Sequence, residues 1–97
     1  MATFIVLGKY TQQGIGKITE GPQRLEKARE LAKSLGGTFK EFYLTMGQYD
    51  FVAISELPDD DAAARFALMT GRLGNVTTET LRAWPEGEFR KLVQSLG

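Results

Sequence analysis

The sequence predicts a single α+β domain in which four antiparallel strands form one sheet and two helices cover one of its faces. Strand-like and amphipathic helical segments follow one another in the order strand, helix, strand, strand, helix, strand. Only a short turn separates the two middle strands, which favours an antiparallel hairpin. With 97 residues, of which 42% are apolar, the chain can bury one core, so we expect one domain over residues 1–97.

A polar segment separates the first strand from the first helix. Residues Thr3–Tyr10 are rich in β-branched and aromatic side chains, which is typical of a strand. The segment Thr11–Glu20 is polar, and we predict that Gly14–Thr19 within it forms a mobile surface loop near the mouth of a cavity. Gly21 is the predicted N-cap of the helix, Pro22 occupies its first position, and Gly36-Gly37 ends it.

The second and third strands form the predicted hairpin. Residues Phe39–Met46 and Tyr49–Glu56 are both strand-like, and only Gly47 and Gln48 lie between them. Tight hairpin turns need a positive φ angle, which glycine adopts without steric cost. The sequence therefore predicts a two-residue turn.

The last third of the chain supplies a helix, a strand and a short final helix. Asp59–Asp61 begin the second helix, since acidic side chains are stabilising at the positive end of the helix dipole. Residues Val76–Trp84 are threonine-rich and alternate in character, and Pro85 starts a short helix with one apolar side. This order is the split βαβ arrangement of a ferredoxin-like plait.

The composition narrows the kinds of site that we expect. Twelve Lys and Arg balance twelve Asp and Glu, so the net charge is zero and we expect neither nucleic acid nor a membrane as partner. The chain has no His and no Cys, and Asp59–Asp61 lack the spacing of a calcium loop, so we predict no metal and no cofactor. The sequence shows no secretion signal and no long apolar run, which predicts a cytoplasmic protein.

Both faces of the predicted sheet are apolar. In the first strand, Phe4 and Val6 alternate with Ile5 and Leu7. A sheet with one face in water would instead alternate apolar and polar residues. The last helix is too short to cover four strands, so we predict that a second copy covers the free face, giving a homodimer or a larger oligomer.

Four segments of the chain resemble the GYD-domain family. They are Gly14-Ile15, Leu35-Gly36-Gly37, Phe42–Asp50 and Leu73–Ala83. The motif that gives the family its name maps onto Gly47, Tyr49 and Asp50, with Gln48 between the glycine and the tyrosine. The resemblance implies membership of the dimeric α/β-barrel group, in which two ferredoxin-like subunits pack sheet against sheet. The family carries no established activity, so the resemblance implies no catalytic residue.

Tyr49 and Asp50 open the third predicted strand and have two interpretations. A glycine turn followed by an aspartate is ordinary hairpin chemistry. Alternatively, the two residues line a cavity, where the phenol could donate a proton and the carboxylate could accept one. By alternation Tyr49 shares the free face with Phe51, while Asp50 points to the helices unless a bulge turns it.

Arg82 in the fourth strand is the second candidate. We expect Leu81 and Ala83 to meet the helices, which places Arg82 on the free face. There it could bind an anionic ligand or form a salt bridge, and we predict that Asp50 lies within ion-pair reach of it. Two aromatic residues complete the predicted ligand-binding set, which is Tyr43, Tyr49, Asp50, Arg82 and Trp84.

Three classes of function remain open. The first is an oligomeric module that binds a small, partly apolar molecule between helices and sheet or between subunits. The second is a cofactor-independent enzyme of the dimeric α/β-barrel type, either an oxygenase or an isomerase with Asp50 as base. The third is a structural domain whose sheet face serves only to oligomerise. No diagnostic catalytic motif decides whether the chain is an enzyme.

Overall fold

The chain folds into one sheet and four α-helices, described over residues 1–97 by a computed structural model. The strands are β1 (Ala2–Tyr10), β2 (Thr38–Leu44), β3 (Phe51–Leu57) and β4 (Val76–Ala83). The helices are α1 (Gln12–Gly16), α2 (Gly21–Ser34), α3 (Asp60–Gly71) and α4 (Glu86–Ser95), and a 3-10 turn, Ile18–Glu20, joins α1 to α2. None of these helices combines the length and the apolar character needed to span a bilayer.

The strands lie in the order β2-β3-β1-β4, and every neighbouring pair is antiparallel. Helices α2 and α3 pack on one face, and the core forms between the two layers. Small side chains on the helices allow a close approach to the sheet. The core residues are Phe4, Val6, Phe39, Phe51, Ala53, Leu57, Ala32, Ala62, Ala63 and Phe66. The arrangement confirms the predicted α+β, ferredoxin-like fold with a short C-terminal helix.

The structure reverses the predicted assignment of the two sheet faces. Phe51, expected on the free face, is only 8% exposed and lies in the core beneath the helices. Phe4 is opposite Arg82 in the sheet, and Ile5 is opposite Leu81. Because opposite residues share a face, Arg82 lies on the helix side and Leu81 on the free face. Both faces are apolar, so hydrophobicity alone did not distinguish them.

Strand β2 contains a β-bulge at Lys40. Phe39 is opposite Ser55 and Glu41 is opposite Ile54, so the register shifts between them. The extra residue brings Phe39 and Phe42 to the same face, where both pack in or against the core. Strict alternation would place them on opposite faces.

The polar segment predicted as a loop is largely helical. The hydroxyl of Thr11 accepts a hydrogen bond from the Gly14 N–H at 3.0 Å and so caps α1. Gly14 is buried against the Asn75 backbone, where a Cβ would lie 2.0 Å from the carbonyl oxygen. The N-cap of α2 is Glu20, and Gly21 is already helical.

The connection between β2 and β3 spans six residues, Thr45–Asp50, and is not the predicted two-residue turn. The N–H of Thr45 donates to the Asp50 carbonyl at 2.8 Å, and the Thr45 hydroxyl donates to the Tyr49 carbonyl at 2.7 Å. Gly47 has a φ angle of +122°, in the region that favours glycine. Tyr49 and Asp50 therefore precede the strand, and strand alternation does not fix their side chains.

The sheet face opposite the helices, here called the free face, is uncovered within the chain. The strand register places six large apolar or aromatic residues at its centre. They are Ile5, Leu7, Tyr43, Val52, Ile54 and Leu81. Charged residues surround this centre, and these are Lys9, Glu41, Glu56 and Glu79. An apolar centre with a polar rim is the anatomy of a protein interface.

Helix α4 does not cover the free face. Every residue from Trp84 to Gly97 is exposed, and α4 has no buried residue. The radius of gyration is 14.5 Å, above the roughly 13 Å expected for a compact domain of this length. The chain is 52 Å long and only 18 Å thick, so α4 does not stack as a third layer.

Candidate functional site

The main apolar cavity is a cleft of about 530 Å³ on the helix side of the sheet. Helix α2 forms one wall, the end of α3 and the start of β4 form the other, and the sheet is the floor. Its apolar lining includes Val6, Leu25, Ala28, Phe42, Phe51 and Phe66. A volume in this range suits a small molecule.

One polar group of the cleft lies at the end of β1. Tyr10 lines the cleft, and its hydroxyl makes no hydrogen bond within the chain. Burial raises the pKa of Tyr10, the nearby Asp50 carboxylate adds to this, and the Arg24 guanidinium opposes it. The phenol is therefore protonated at neutral pH and free to donate a hydrogen bond to a ligand.

Arg24 is held at the cleft wall by backbone carbonyls. Its guanidinium donates to the Gly14 carbonyl at 3.1 Å and to the Lys17 carbonyl at 2.9 Å. A Glu20 carboxylate oxygen lies 3.8 Å from it. These contacts fasten the polar segment that contains α1 against α2 at the cleft. Ile18 and Glu20 line the cleft, so this segment does lie beside a cavity.

A second hollow, of about 540 Å³, lies at the free-face side of the sheet. It is lined mostly by polar and charged residues, and Pro85 closes one side. The free-face residues Thr3, Thr38, Glu41, Ile54 and Glu56 are among its lining. The apolar cleft is the better candidate for a ligand site, because its walls are apolar and belong to the core.

Asp50 fastens the β2–β3 connection to β1. Its carboxylate accepts a hydrogen bond from the Tyr10 N–H at 2.9 Å, and its own N–H donates to the Gly8 carbonyl at 2.8 Å. These two bonds extend the pairing of β1 beyond the start of β3. Asp50 does not line the cleft, although Tyr10 beside it does.

Tyr49 crosses to the free face. Its hydroxyl lies 3.1 Å from both carboxylate oxygens of Glu79, and Lys9 Nζ lies 5.7 Å from the centre of its ring. The hydrogen bond to Glu79 raises the pKa of Tyr49, and burial and the negative charge of Glu79 add to this. Asp50 thus attaches the β2–β3 connection to β1, and Tyr49 attaches the same connection to β4.

The predicted ion pair between Asp50 and Arg82 is wrong. Arg82 is opposite Phe4, whereas Gly8, which binds Asp50, lies four residues further along β1, about 13 Å away. Arg82 stacks on Trp84, with 4.4 Å from guanidinium carbon to ring centre, and donates to the Ala83 carbonyl. The centre of the Phe4 ring lies 5.7 Å from the same guanidinium carbon. Arg82 and Trp84 therefore form a pair of their own at the far end of the sheet.

The five predicted ligand-binding residues are distributed over three places. Tyr43 lies on the free face, and its hydroxyl bonds to Glu41 at 3.1 Å, which raises its pKa. None of the five lines the cleft.

The sequence analysis did not identify Tyr10 or Arg24 as site residues. Arg24 lies one helical turn from the apolar stripe of α2, and this position could have indicated that it lies beside the core. No group of three or more acidic residues lies close enough together to hold a metal.

The fold and the cleft define a small two-layer α+β domain with an apolar cleft and an uncovered sheet face. The model of the GYD domain matches residues 4–93, and the chain therefore belongs to the GYD domain family. One relative is the "Glutamine synthetase and cystathionine beta-lyase binding protein" of Thermus thermophilus, 36% identical over 90 residues, which cover 92% of this chain and 95% of the relative. The crystal structure of TTHA0845, also from Thermus thermophilus, is 30% identical and has a TM-score of 0.47, covering 89% of this chain and 100% of that one.

Proposed function

We propose that this domain is a self-associating binding module whose cleft takes a small, partly apolar molecule. One observation carries the proposal: an apolar cleft of about 530 Å³ opens beside a phenol that has no partner within the chain. The apolar floor would bury the body of a ligand, and Tyr10 would orient it through a hydrogen bond. Arg24 and Glu20, 3.8 Å apart, form a charged pair in the lining of the same cleft.

The self-association in this proposal uses the free face. A second copy would bury the apolar centre of the face, and the ring of charged residues would remain at the rim. Leu81 is 45% exposed and lies beside Ile5 in the sheet, so water contacts a continuous apolar row. The resemblance to the GYD-domain family implies the same arrangement, because it implies the dimeric α/β-barrel group.

The cleft is tested by filling it. Ala28 lines the cleft from α2, whereas Ala64 is exposed on α3, so Ala28→Trp and Ala64→Trp are a matched pair. Titration with the apolar dye 8-anilinonaphthalene-1-sulfonate should give binding to the wild type and to Ala64→Trp, and at least tenfold weaker binding to Ala28→Trp, in line with about 1.4 kcal/mol per tenfold. Native mass spectrometry of the wild type would show any molecule retained from expression. Equal dye binding by both tryptophan variants would exclude the cleft as the site.

A protein partner is the second candidate, and the relative from Thermus thermophilus favours it. The name of that protein states that it binds glutamine synthetase and cystathionine β-lyase, and the similarity covers 95% of its length. We propose that this chain binds an enzyme of one of these two kinds. Sedimentation velocity of the purified chain mixed with each enzyme from the same organism is the direct test. Unchanged sedimentation of both enzymes at micromolar concentration would count against it.

The geometry gives less support to the alternative that this chain is an enzyme. The isomerase alternative used Asp50 as base, but this carboxylate is bonded to the Tyr10 N–H and does not line the cleft. A general base must reach the proton that it removes. Asp50 and Arg82 do not line the same cavity. The oxygenase and isomerase alternatives therefore lack a group of catalytic side chains that could act together on one substrate.

A further inference from the structure

Helix α4 is an amphipathic helix without a partner in the chain. Four apolar residues recur on one side at spacings of three and four, and these are Phe89, Leu92, Val93 and Leu96. They are between 49% and 84% exposed. Such a stripe normally faces a core, because an isolated helix of ten residues is marginal in water. We therefore expect another surface to pack against the apolar stripe of α4.

The free face alone gives a small interface. Four strands about 4.8 Å apart, each about seven residues long, present about 450 Å² per copy, or about 900 Å² in a dimer. Stable specific interfaces bury about 1,200–2,000 Å². This footprint is smaller than the accessible area of the same face, so a dimer formed only by the two sheets lies near the lower end of that range, and a further element would enlarge the interface.

Helix α4 begins at the edge of this same face. Pro85, the residue before α4, lines the hollow that also contains Thr3, Ile54 and Glu56 of the free face. The helix then leaves its own sheet, since it has no buried residue and the chain is only 18 Å thick. Its apolar stripe is therefore available next to the surface that the second copy would occupy.

We propose that α4 is a dimerisation arm whose apolar stripe packs against the second copy. The inference rests on the proposed self-association through the free face and assigns a further element to it. Two arms related by a twofold axis would each add a row of four large side chains, each about half exposed or more, to the buried surface of the dimer. The surface that packs against the apolar stripe of α4 belongs to a second copy of this chain.

The test compares two added charges on α4. Leu92→Glu places a carboxylate in the apolar stripe, and Gln94→Glu places one on the polar side of the same helix. Both residues are exposed, so both variants should fold, which circular dichroism verifies. In sedimentation equilibrium, Leu92→Glu should raise the dimer dissociation constant at least about tenfold, and Gln94→Glu by no more than about threefold.

The single tryptophan provides a second readout. Trp84 precedes α4 and is half exposed, so packing of α4 on a second copy should shift its emission to the blue as the protein concentration rises. A shift that is independent of concentration would mean that α4 folds onto its own chain, and it would overturn the inference.

A free-face variant separates the inference from the proposal on which it rests. Leu81→Asp should dissociate the dimer because it buries an unpaired charge at the centre of the face. If Leu81→Asp dissociates the dimer while Leu92→Glu associates like Gln94→Glu, α4 is not an arm and the free-face dimer stands. A wild-type chain that is monomeric throughout would overturn both forms of association and leave the test of the cleft unaffected.

Discussion

The Tyr10 N–H and the Asp50 carboxylate form a 2.9 Å hydrogen bond that ties the β2–β3 connection to the end of β1. Asp50 is one of the three residues onto which the sequence resemblance maps the family's motif, and its side chain here accepts a hydrogen bond from the backbone of another strand. Gly47 adopts the positive φ angle of the turn. The Tyr49 hydroxyl bonds to Glu79 on the free face, and the Asp50 carboxylate bonds to the Tyr10 N–H of β1. The three motif residues thus have a structural explanation that requires no catalysis.

Asp50→Ala should lower the free energy of unfolding by about 1.5–3 kcal/mol, because it removes a hydrogen bond to a charged group and leaves the Tyr10 N–H without its acceptor. Asp50→Asn keeps an acceptor oxygen and should cost less. Urea denaturation measures both, with Glu30→Ala, an exposed change on α2, as control. Stability equal to that of the control would show that the bond is unimportant.

Gly14→Ala and Gly16→Ala should have opposite effects within the same short helix. A Cβ at Gly14 would meet the Asn75 carbonyl at 2.0 Å, and that atom belongs to the backbone, so we expect a loss of about 2 kcal/mol or more. A Cβ at Gly16 meets nothing within 4 Å, and the higher helix propensity of alanine should stabilise by up to about 1 kcal/mol. Thermal unfolding compares them, and equal melting temperatures would contradict the close contact between α1 and Asn75.

Glu79→Gln should lower the pKa of Tyr49 towards its ordinary value of about 10, since the hydrogen bond to Glu79 is the main cause of the rise. The raised pKa means that the folded chain holds this proton more tightly than the unfolded chain. The resulting stabilisation is present below pH 10 and is lost as the pH rises through the folded-state pKa. Carbon-13 shifts of labelled tyrosine rings report each phenol separately.

Glu41→Gln is the matched control for this titration. It removes the partner of Tyr43, whose pKa is also raised by a glutamate, and should lower the pKa of Tyr43 while leaving that of Tyr49 unchanged. A Tyr49 pKa that responds to neither substitution would show that the pair with Glu79 does not form in solution.

Leu81→Asp and Thr80→Asp place the same charge on opposite faces of β4. Light scattering at micromolar concentration should give the wild type at least twice the chain mass of 10.7 kDa. Leu81→Asp should be monomeric, because the charge would be buried without a partner at the apolar centre. Thr80→Asp lies on the helix side and is exposed, so it should associate like the wild type. Wild-type mass of one chain would remove the basis for the dimer.

The sequence determined the element order, the antiparallel pairing and the family. Periodicity located α2 and α3, Gly36-Gly37 marked the end of α2, Pro85 marked the start of α4, and the family suggested by four short segments is the one whose model matches residues 4–93. These signals are local, so a single sequence carries them. The apolar character of both sheet faces was also visible and is present in the structure as the core and the free face.

Only the tertiary structure decided which face meets the helices and which residues meet one another. Apolar residues occupy both alternating positions at the centre of the strands, so the apolar pattern alone did not distinguish the faces, and the packing of α2 and α3 made the choice. The bulge at Lys40 and the six-residue connection moved Phe39 and Asp50 from the positions that alternation predicts. The distance between Asp50 and Arg82, and the cleft around Tyr10, follow from strand register, which joins residues far apart in the chain and leaves no local signal.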